Sequence, residues 1–392
     1  MQTAAMYLPG FHECQFNSSW FGSGANEWDS VRAARSLAEH HFQPRIPAWG
    51  YYDLSDPQVI AKQASLAREF CIDGFCIYHY WSSGTRPLKK PLEVILGNPD
   101  LDLKFSLCWA NHSWYSSWKG FEVKQRTLMS QTYEKDKAHR QAHIDFLLRA
   151  LNDERSMRIR GHPVLSIYDP TPTAYLADFI DHLRCDALNR FGLEIFCSAW
   201  LRPTYKITTK KILTIFDNII LNASVGMREQ LKPKPFNGFL PNPAWAAQAF
   251  PDALKSNQLR VAYWFLLSKF GTEVKLLDYD KFWLEYMQKY QALSLSTDGK
   301  VDAQALVDWD NTPRRGAWGS YFSNYDLDKL GLYTRELASS VLALNPDSIF
   351  YINGWNEWGE GAYLEPDNRS GTARLQKISK AIEMARMQAG QP

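Results

Sequence analysis

The sequence predicts a single (β/α)₈ barrel over residues 1–392, and three observations lead to this fold class. Short apolar runs of strand length recur along the chain, helical patterns lie between them, and polar or aromatic clusters follow several of the runs. Runs that are apolar on both faces are typical of parallel strands covered by helices. Repeated strand–helix alternation therefore favours a closed barrel, with an open doubly wound sheet as the alternative.

Eight segments are predicted to be the barrel strands. They are residues 4–9, 74–80, 104–110, 163–168, 194–199, 218–221, 305–308 and 348–354. The clearest helix lies between the first two strands, with Asp56 as its N-cap and Pro57 at its first position. Its apolar periodicity continues to Phe70, and Asp73-Gly74 then leads into the next strand.

Two stretches interrupt the alternation. Residues 10–55 form a long first connection rich in Trp, His, Gly and Pro, and residues 222–300 form a longer insertion with a predicted helix around residues 279–290. Long loops in compact domains are usually functional or disordered. The aromatic content of these two favours walls of a cleft, so we expect one catalytic domain with elaborated loops.

Composition limits the classes of partner. The formal net charge is +2, and the basic residues form no block, so no general attraction to nucleic acid or to an anionic membrane is expected. No segment is apolar enough to span a bilayer, and residues 1–8 do not have the pattern of a signal peptide. The sequence therefore predicts a cytoplasmic protein, with a secreted form left open.

The 15 Trp and 19 Tyr could fill a core or stack on sugar rings.

The C-terminal ends of the strands are where (β/α)₈ barrels place their active sites. Six clusters are predicted to meet there, at residues 7–12, 79–81, 109–112, 169, 309–311 and 355–360. The substrate-binding candidates within them are Tyr7, His12, Tyr80, Trp81, Trp109, Asn111, His112, Trp309, Asn311, Trp355 and Asn356. His79 is better explained as a core histidine. Arg314 could bind an acidic sugar or pair with Glu357 or Glu360.

Glu357 and Glu360 are the strongest catalytic candidates. They follow the last predicted strand, and a helical turn would bring residues at this spacing to roughly 5–6 Å at Cβ. Retaining glycosidases need two carboxyls about 5–5.5 Å apart, one assisting attack at the anomeric carbon and one protonating the leaving oxygen. The Trp and Gly neighbours favour an apolar-walled turn that raises the pKa of one carboxyl, so that this carboxyl can act as an acid near neutrality. The alternative is a pair of ordinary acids in a solvated helical turn.

A metal-dependent nucleotide site is the competing chemistry. Residues 308–310 match the Asp-x-Asp pattern that holds a divalent ion against a sugar-nucleotide diphosphate. Residues 100–102 and 326–328 match it equally, so the pattern is unspecific. No Gly-rich phosphate loop and no Cys/His metal spacing is present. The sequence therefore predicts neither a metal nor a cofactor.

Several motifs occur together along nearly the whole chain. They are Tyr7-Leu8-Pro9-x-Phe11-His12, Asn26-Glu27-Trp28, Gln43-Pro44-Arg45-Ile46-Pro47, Tyr51-Tyr52-Asp53-Leu54, Ile72-Asp73-Gly74-Phe75, Tyr78-His79-Tyr80-Trp81, Leu107-Cys108-Trp109-Ala110-Asn111, Trp309-Asp310-Asn311-Thr312 and the stretch from Asn353 to Asp367. In combination they resemble the WbsX-like proteins, which are similar to glycoside hydrolase family 99, the endo-α-mannosidase family.

The resemblance implies retaining chemistry at an α-linked, mannose-like sugar by neighbouring-group participation. Glu357 would deprotonate the sugar 2-hydroxyl, which attacks C1 to give a 1,2-anhydro intermediate, and Glu360 would be the acid/base on the leaving oxygen. The resembling motifs add Glu27 and Trp28 to the substrate-binding candidates. After Asn111 the usual Glu-Asn-Trp-Thr-Arg-Arg-Trp is replaced by His-Ser-Trp-Tyr-Ser-Ser-Trp, so an acid and two arginines are absent.

The expected function is a retaining carbohydrate-active enzyme that cleaves or transfers at an α-glycosidic bond of a bacterial polysaccharide or oligosaccharide. The first alternative is a sugar-nucleotide-dependent glycosyltransferase of lipopolysaccharide O-antigen or capsule assembly, because WbsX-like proteins usually carry that label. The second is a non-catalytic carbohydrate-binding barrel, against which the intact Glu-x-x-Glu counts. A saccharide is the expected partner in each case, without nucleic acid or membrane insertion.

Overall fold

Eight parallel strands form a closed barrel in the computed structural model, which describes residues 1–116, 126–133, 137–202, 205–231 and 274–390. In chain order they are β1 (Gln2–Tyr7), β2 (Gly74–His79), β3 (Lys104–Trp109), β4 (His162–Ile167), β5 (Phe196–Leu201), β6 (Asn218–Leu221), β7 (Val301–Leu306) and β8 (Ile349–Asn353). Each strand pairs with the next one in the chain, and β8 returns to pair with β1. The predicted closed barrel is thereby confirmed, and the open sheet is excluded.

Helices surround the barrel and fill its connections. Their bounds are Gln15–Phe21, Trp28–Ala33, Pro57–Glu69, Lys90–Gly97, Lys137–Leu151, Thr173–Phe191, Thr209–Ile212, Ser224–Leu231, Tyr279–Ser296, Thr312–Arg315, Leu327–Leu344 and Ala373–Gln388, with short 3-10 turns at Gly316–Trp318 and Trp358–Glu360. Short strands also pair outside the barrel, at Trp114–Tyr115 with Thr127–Met129, Lys275–Leu277 with Ser320–Phe322, and Asn356–Glu357 with Ala362–Tyr363. Arg158–Ile159 pairs antiparallel with the start of β4.

Two predicted helices are confirmed, each with a side-chain cap. Asp56 accepts a hydrogen bond from the backbone N of Gln58 (2.8 Å) at the start of Pro57–Glu69. Asp278 accepts from the backbone N of Lys281 (3.0 Å) at the start of Tyr279–Ser296, the helix expected in the long insertion. Such caps satisfy backbone donors that a first helical turn leaves unpaired. Residues 232–273 of that insertion lie outside the described residues.

The seventh strand was wrongly placed by the sequence. The prediction was residues 305–308, whereas β7 runs over Val301–Leu306, every residue of which is buried. The strand begins with polar residues that an apolar-run search passes over. Gln304 accepts a hydrogen bond from the backbone N of Ala223 (2.8 Å), and Asp302 is fully buried. Asp308 therefore lies beyond the strand, in the loop that follows it.

Asp302 makes the stability of this barrel depend on pH. Burial raises the pKa of its carboxyl to about 8, although hydrogen bonds from Asn218 and the backbone of Ile349 oppose the rise. Because the folded pKa exceeds the unfolded one, its stabilising contribution is complete below the unfolded pKa, near 3.8, and is lost as pH rises toward 8. Over this range Asp302 should make the unfolding free energy of the wild type fall by up to about 1.4 kcal/mol per pH unit. We expect Asp302→Asn to remove this part of the fall. Chemical denaturation at stepped pH measures this, and parallel curves for the two proteins would refute it.

Alternation along the strands divides the core into two layers. The barrel interior contains one cluster, with Met6, Cys76, Cys108, Trp200 and Tyr351 among its members. The alternate strand residues point outward and pack against the helices in a much larger cluster. In the part of the chain that the structure describes, no helix combines the length and the apolar character needed to cross a membrane.

Candidate active site

A crater opens at the C-terminal end of the barrel, and inward-pointing side chains at the ends of the strands line it. Tyr78 and Tyr80 stack with ring centroids 6.4 Å apart, and Tyr168 meets Tyr78 edge-on at 6.0 Å. The Arg202 guanidinium lies 5.0 Å above the Tyr168 ring, and the His112 ring is 5.5 Å from that same ring. The charge of Glu357 acts on all three tyrosines, so the acid pair belongs to this crater.

The acid pair lies on a tight turn after β8. Glu357 ends the short strand Asn356–Glu357 and caps the 3-10 turn Trp358–Glu360. Two glycines permit this geometry. Gly361 has φ +66°, and a Cβ at Gly359 would lie 2.7 Å from Nε of Arg314. Glu360 therefore lies on a short 3-10 turn and Glu357 directly precedes it, and glycine lets the turn approach its neighbours closely.

Arg314 connects the two acids to a third carboxylate. Its Nη1 donates to Oε1 of Glu360 (2.8 Å), and its Nη2 donates to Oε1 of Glu357 (3.3 Å) and to Oε2 of Glu27 (3.2 Å). Of the two roles left open for Arg314, the structure shows the pairing with Glu357 and Glu360. Glu27 is buried, and it comes from the long first loop, far from the other three residues in the sequence.

The two acids have different environments. Glu357 is buried, and desolvation raises its pKa to about 8; Glu360 and Glu27 add to the rise, and Arg314 opposes it. The Glu360 side chain is 28% exposed and faces solvent more directly. The alternative of two ordinary solvated acids is therefore wrong for Glu357. Two carboxyls whose surroundings differ in this way are what an acid–base pair requires.

A buried ionic network supports the turn from one side. Arg45 donates to Asp308 (2.8 Å), Asp310 (3.4 Å) and the carbonyl of Gly361 (3.1 Å), while Arg374 donates to Asp308 (3.4 Å). The backbone N of Asp310 donates to the carbonyl of Glu360 (2.7 Å). The Asp-x-Asp of residues 308–310 therefore has a structural use here, because its carboxylates already bind protein cations.

Asp310 is held in its ionised form. Burial acts to raise its pKa, but hydrogen bonds from His41 and Thr312 and the charge of Arg45 outweigh this and lower the pKa to about 2. Gln43 also donates to the same carboxylate (2.6 Å). Within the ranges that the structure describes, no three His, Cys, Asp or Glu side chains gather into a group that could hold a metal ion.

Glu365 supports the turn from the other side. This buried carboxylate accepts hydrogen bonds from Tyr52 Oη (2.6 Å), Gln63 Nε2 (2.6 Å) and Trp358 Nε1 (2.7 Å). Its burial raises its pKa to about 7 against the effect of these donors. Both Glu365 and the nearby Asp367 are buried.

Four aromatic candidates do not line the crater, which corrects the prediction. Tyr7 donates to Gln63 (2.8 Å) on an outer helix, and Trp109 packs against Phe179 on another. Trp81 stacks on His143, which also hydrogen-bonds His79, and Trp355 packs on Phe75. For Tyr7, Trp81 and Trp109 the reason is strand alternation: residues next to an inward-pointing residue point outward, so Tyr78 and Tyr80 face the crater while His79 and Trp81 do not. Trp355 lies beyond the end of β8, where this alternation no longer applies. His79 is a core histidine, as expected.

Other candidates hold loops together. Asn356 exchanges two hydrogen bonds with the backbone of Leu8 (2.8 and 3.0 Å), and Asn111 exchanges two with the backbone of Asp169 (2.7 and 2.8 Å). These amides fasten neighbouring strand ends and are buried, so they shape the crater without being free to bind a sugar.

The remaining candidates are placed as follows. Trp28 is buried and donates to the carbonyl of Tyr52 (2.7 Å), and His12 is buried. Asn311 accepts from the backbone N of Ser320 (2.8 Å), and Trp309, partly exposed, donates to Ser320 Oγ (3.0 Å). Of the predicted set, the structure brings Glu27, Tyr80, His112 and Arg314 together with Glu357 and Glu360.

Sequence reasoning missed Tyr78, Tyr168 and Arg202. A usable signal was present, because each is in register with the inward-pointing residues of its strand, two positions beyond Cys76, Ser166 or Trp200. Sequence reasoning missed Arg45 and Arg374 for a different reason. Nothing in a sequence shows with which distant acidic residues a buried arginine will form ion pairs.

A sequence profile of the family described as Glycosyltransferase WbsX matches residues 3–378. Two proteins of Xanthomonas campestris pv. campestris, both named Uncharacterized protein WxcX and from different strains, are 29% and 28% identical to this chain over 391 residues. The alignments cover 97% of this chain and 49% of each relative. The chain thus spans about half the length of these curated relatives.

The fold is similar to that of solved glycoside hydrolases. The GH99 endo-alpha-mannosidase of Bacteroides thetaiotaomicron gives a TM-score of 0.53 at 12% identity, over 99% of this chain and 98% of that chain. Its complex with Bis-Tris propane gives 0.56 over the same shares, and a glycoside hydrolase-like protein gives 0.53 at 12% identity, over 97% and 93%. At this identity the likeness concerns the fold alone. These findings confirm the family resemblance and the (β/α)₈ barrel.

Proposed function

The chain belongs to the Glycosyltransferase WbsX family, and from that premise we propose that it breaks or transfers an α-glycosidic bond with retention of configuration. The observation that carries this proposal is the acid pair, Glu357 and Glu360, on one turn of the crater and bridged by Arg314. We also propose that the chain acts as one catalytic domain. Its substrate would be a polysaccharide or oligosaccharide with a mannose-like sugar at the reacting position.

Each acid has a proposed role. Glu357 would take the proton of the sugar 2-hydroxyl as that oxygen attacks C1, and the 1,2-anhydro sugar so formed would then be opened by water or by an acceptor hydroxyl. A raised pKa suits this role, because the ionised form of such a carboxyl is a stronger base. Glu360 would protonate the leaving oxygen. Arg314 Nη1 donates to Glu360 in the free protein (2.8 Å), so this role requires that the bound sugar displace Arg314 from Glu360.

The walls of the crater support a saccharide substrate. A cavity of about 210 Å³ adjoins the crater, and Tyr80, His112, Trp114, Tyr115, Leu128 and Arg315 contribute to its lining. Aromatic rings present flat apolar faces to the C–H faces of sugars, and charged or polar groups at their edges bind hydroxyls. Desolvation and the nearby Arg202 lower the pKa of His112 to about 4, so this ring is neutral at physiological pH and can both donate and accept.

The test is a reaction in the presence of a chelator. With bacterial α-mannan-type oligosaccharides we expect cleavage or transfer whose first product has the α configuration, observed by proton NMR before mutarotation. The acid pair supplies the chemistry without an ion, so full activity should persist after exhaustive treatment with EDTA. Complete loss that Mn²⁺ or Mg²⁺ restores would contradict this mechanism. A first product with the β configuration would exclude retention.

The description of the family favours a second candidate, a glycosyltransferase that uses a sugar nucleotide. Among the residues that the structure describes, Arg202 and Arg315 at the crater are cations that could bind a diphosphate. This candidate expects sugar transfer from nucleotide sugars and none from oligosaccharides, and the same NMR assay with both donors distinguishes the two. A non-catalytic carbohydrate-binding barrel would turn over neither donor.

A further inference from the structure

One nitrogen of Arg314 serves two buried carboxylates. Its Nη2 lies 3.3 Å from Oε1 of Glu357 and 3.2 Å from Oε2 of Glu27, while Nη1 is engaged by Glu360. The side chains of Arg314, Glu27 and Glu357 are 11%, 3% and 7% exposed. Three carboxylates of the described chain therefore share the Arg314 guanidinium, and two of them share one of its nitrogens where water can compensate little.

Glu27 is held in this position by contacts other than the ion pair. Its backbone N donates to the carbonyl of Gly10 (3.3 Å), and a Cβ at Gly10 would lie 2.5 Å from Cγ of Glu27. The next residue, Trp28, is buried and hydrogen-bonded to the carbonyl of Tyr52. The first loop thus fixes the third carboxylate beside the acid pair even when its charge is removed.

We propose that Arg314 and Glu27 are positioning residues with opposite effects on Glu357: the guanidinium draws the carboxyl toward its ionised form, and Glu27 withholds that guanidinium by sharing the same nitrogen. The consequence for catalysis rests on the proposed function, in which Glu357 is the base. The proton affinity of Glu357 would then be set by Glu27 from the first loop and by Arg314 from the turn after β7.

The charges around Glu357 agree with this arrangement. Desolvation is the main cause of its raised pKa; Arg314 lowers the pKa, and Glu360 and Glu27 raise it. Among the described residues, the hydroxyls of Tyr78, Tyr80 and Tyr168 also interact with the Glu357 charge, and their own raised pKa values keep them neutral near pH 7. Arg202 lies over the Tyr168 ring. Within the described ranges, Glu27 and Arg314 are thus two charges beside Glu357 that a substitution outside the acid pair can remove.

The experiment is a direct titration of Glu357 in the free protein. Carbon-13 NMR of protein labelled at the glutamate δ carbon reports each carboxyl, and the signal lost in Glu357→Gln assigns the one of interest. We expect Glu27→Gln to lower the pKa of Glu357 by about one unit and Arg314→Gln to raise it by about one unit, the size typical of a close charge. Arg314→Lys keeps the positive charge but loses the forked guanidinium. In this variant the pKa of Glu357 should lie between its values in the wild type and in Arg314→Gln.

Opposite shifts in the two variants support the proposal. Shifts of the Glu357 pKa in the same direction, or no shift in either variant, overturn it. If the two residues had a merely structural role, both substitutions would change the pKa of Glu357 in the same way. Glu336→Gln, on the exposed face of Leu327–Leu344, is the matched control and should leave the titration unchanged. If Arg314→Gln does not fold, Glu27→Gln and Arg314→Lys still test the two directions.

The titration needs no substrate, so a lack of glycosidase activity would count against the proposed function alone. In active protein, the pH profile of kcat/KM should move with the titration.

Discussion

Replacing Glu360 with Gln will slow substrates with poor leaving groups by about 10²–10⁴-fold and activated aryl glycosides far less. A good leaving group needs little protonation, so the loss of the acid matters only where the departing oxygen is basic. Replacing Glu357 with Gln will slow both kinds of substrate alike, because every leaving group depends on the attack that Glu357 assists. A rate series over leaving-group pKa, measured for both variants, separates the two roles.

Two controls accompany this result. Glu336→Gln changes an exposed glutamate on a helix and should retain wild-type rates. Both acid-pair variants should melt close to the wild type, since Gln keeps the shape of Glu and removes no buried cation. Near wild-type rates in either variant would contradict the assignment, and a large fall in melting temperature would assign the pair to holding the turn.

The pH profile distinguishes the two possible assignments of the pair. If Glu357 is the base, kcat/KM should increase as pH rises through its pKa of about 8, because the proton must leave before the carboxylate can act. If Glu357 were instead the acid, kcat/KM should fall above that pH. The free protein governs this profile, so the comparison needs no knowledge of the bound state.

Replacing Arg45 with Met will cost about 3–5 kcal/mol of unfolding free energy. Arg45 is buried and is the common partner of Asp308, Asp310 and the Gly361 carbonyl, so its removal leaves two buried carboxylates short of a cation. The turn that carries Glu360 loses a support at the same time, and we expect activity to fall together with stability. Urea denaturation with a parallel rate assay measures both effects.

Arg68→Met is the matched control for this change. Arg68 pairs with Asp102 at the surface, where the two side chains are 49% and 72% exposed. A pair of this kind contributes about 0–1 kcal/mol, so the variant should be almost as stable as the wild type. Equal losses in the two variants would refute the view that burial gives the Arg45 network its importance.

The order of the barrel strands could be predicted because it follows from local pattern. Apolar runs covered on both sides, separated by capped helices, have few ways to pack, and the closed parallel barrel is one of them. The pattern failed where a strand begins with buried polar residues. The start of β7 contains Asp302 and Gln304, whose environments come from neighbouring strands and from the backbone of Ala223.

The candidate site was predictable in part, for a related reason. Glu357 and Glu360 lie on one short turn, so their spacing in the sequence already implied their closeness. For the strand-end clusters, position along the chain predicted the end of the barrel at which they lie. Whether each side chain points into the barrel or out of it follows from the two-residue periodicity of a strand. Trp109 and Trp81 point outward, while Tyr78 and Tyr80 point inward.

The sequence by itself determined the barrel and the nearness in the chain of the candidate acids Glu357 and Glu360, because these depend on periodicity and on residues close together in the chain. Only the tertiary structure decided that Arg314 binds Glu27 as well as both acids, and that Arg45 and Arg374 hold the aspartates beneath the turn. Those pairs join residues that are distant in sequence, and the pKa of a buried carboxyl depends on its desolvation and its nearest charges. Both are set by folding.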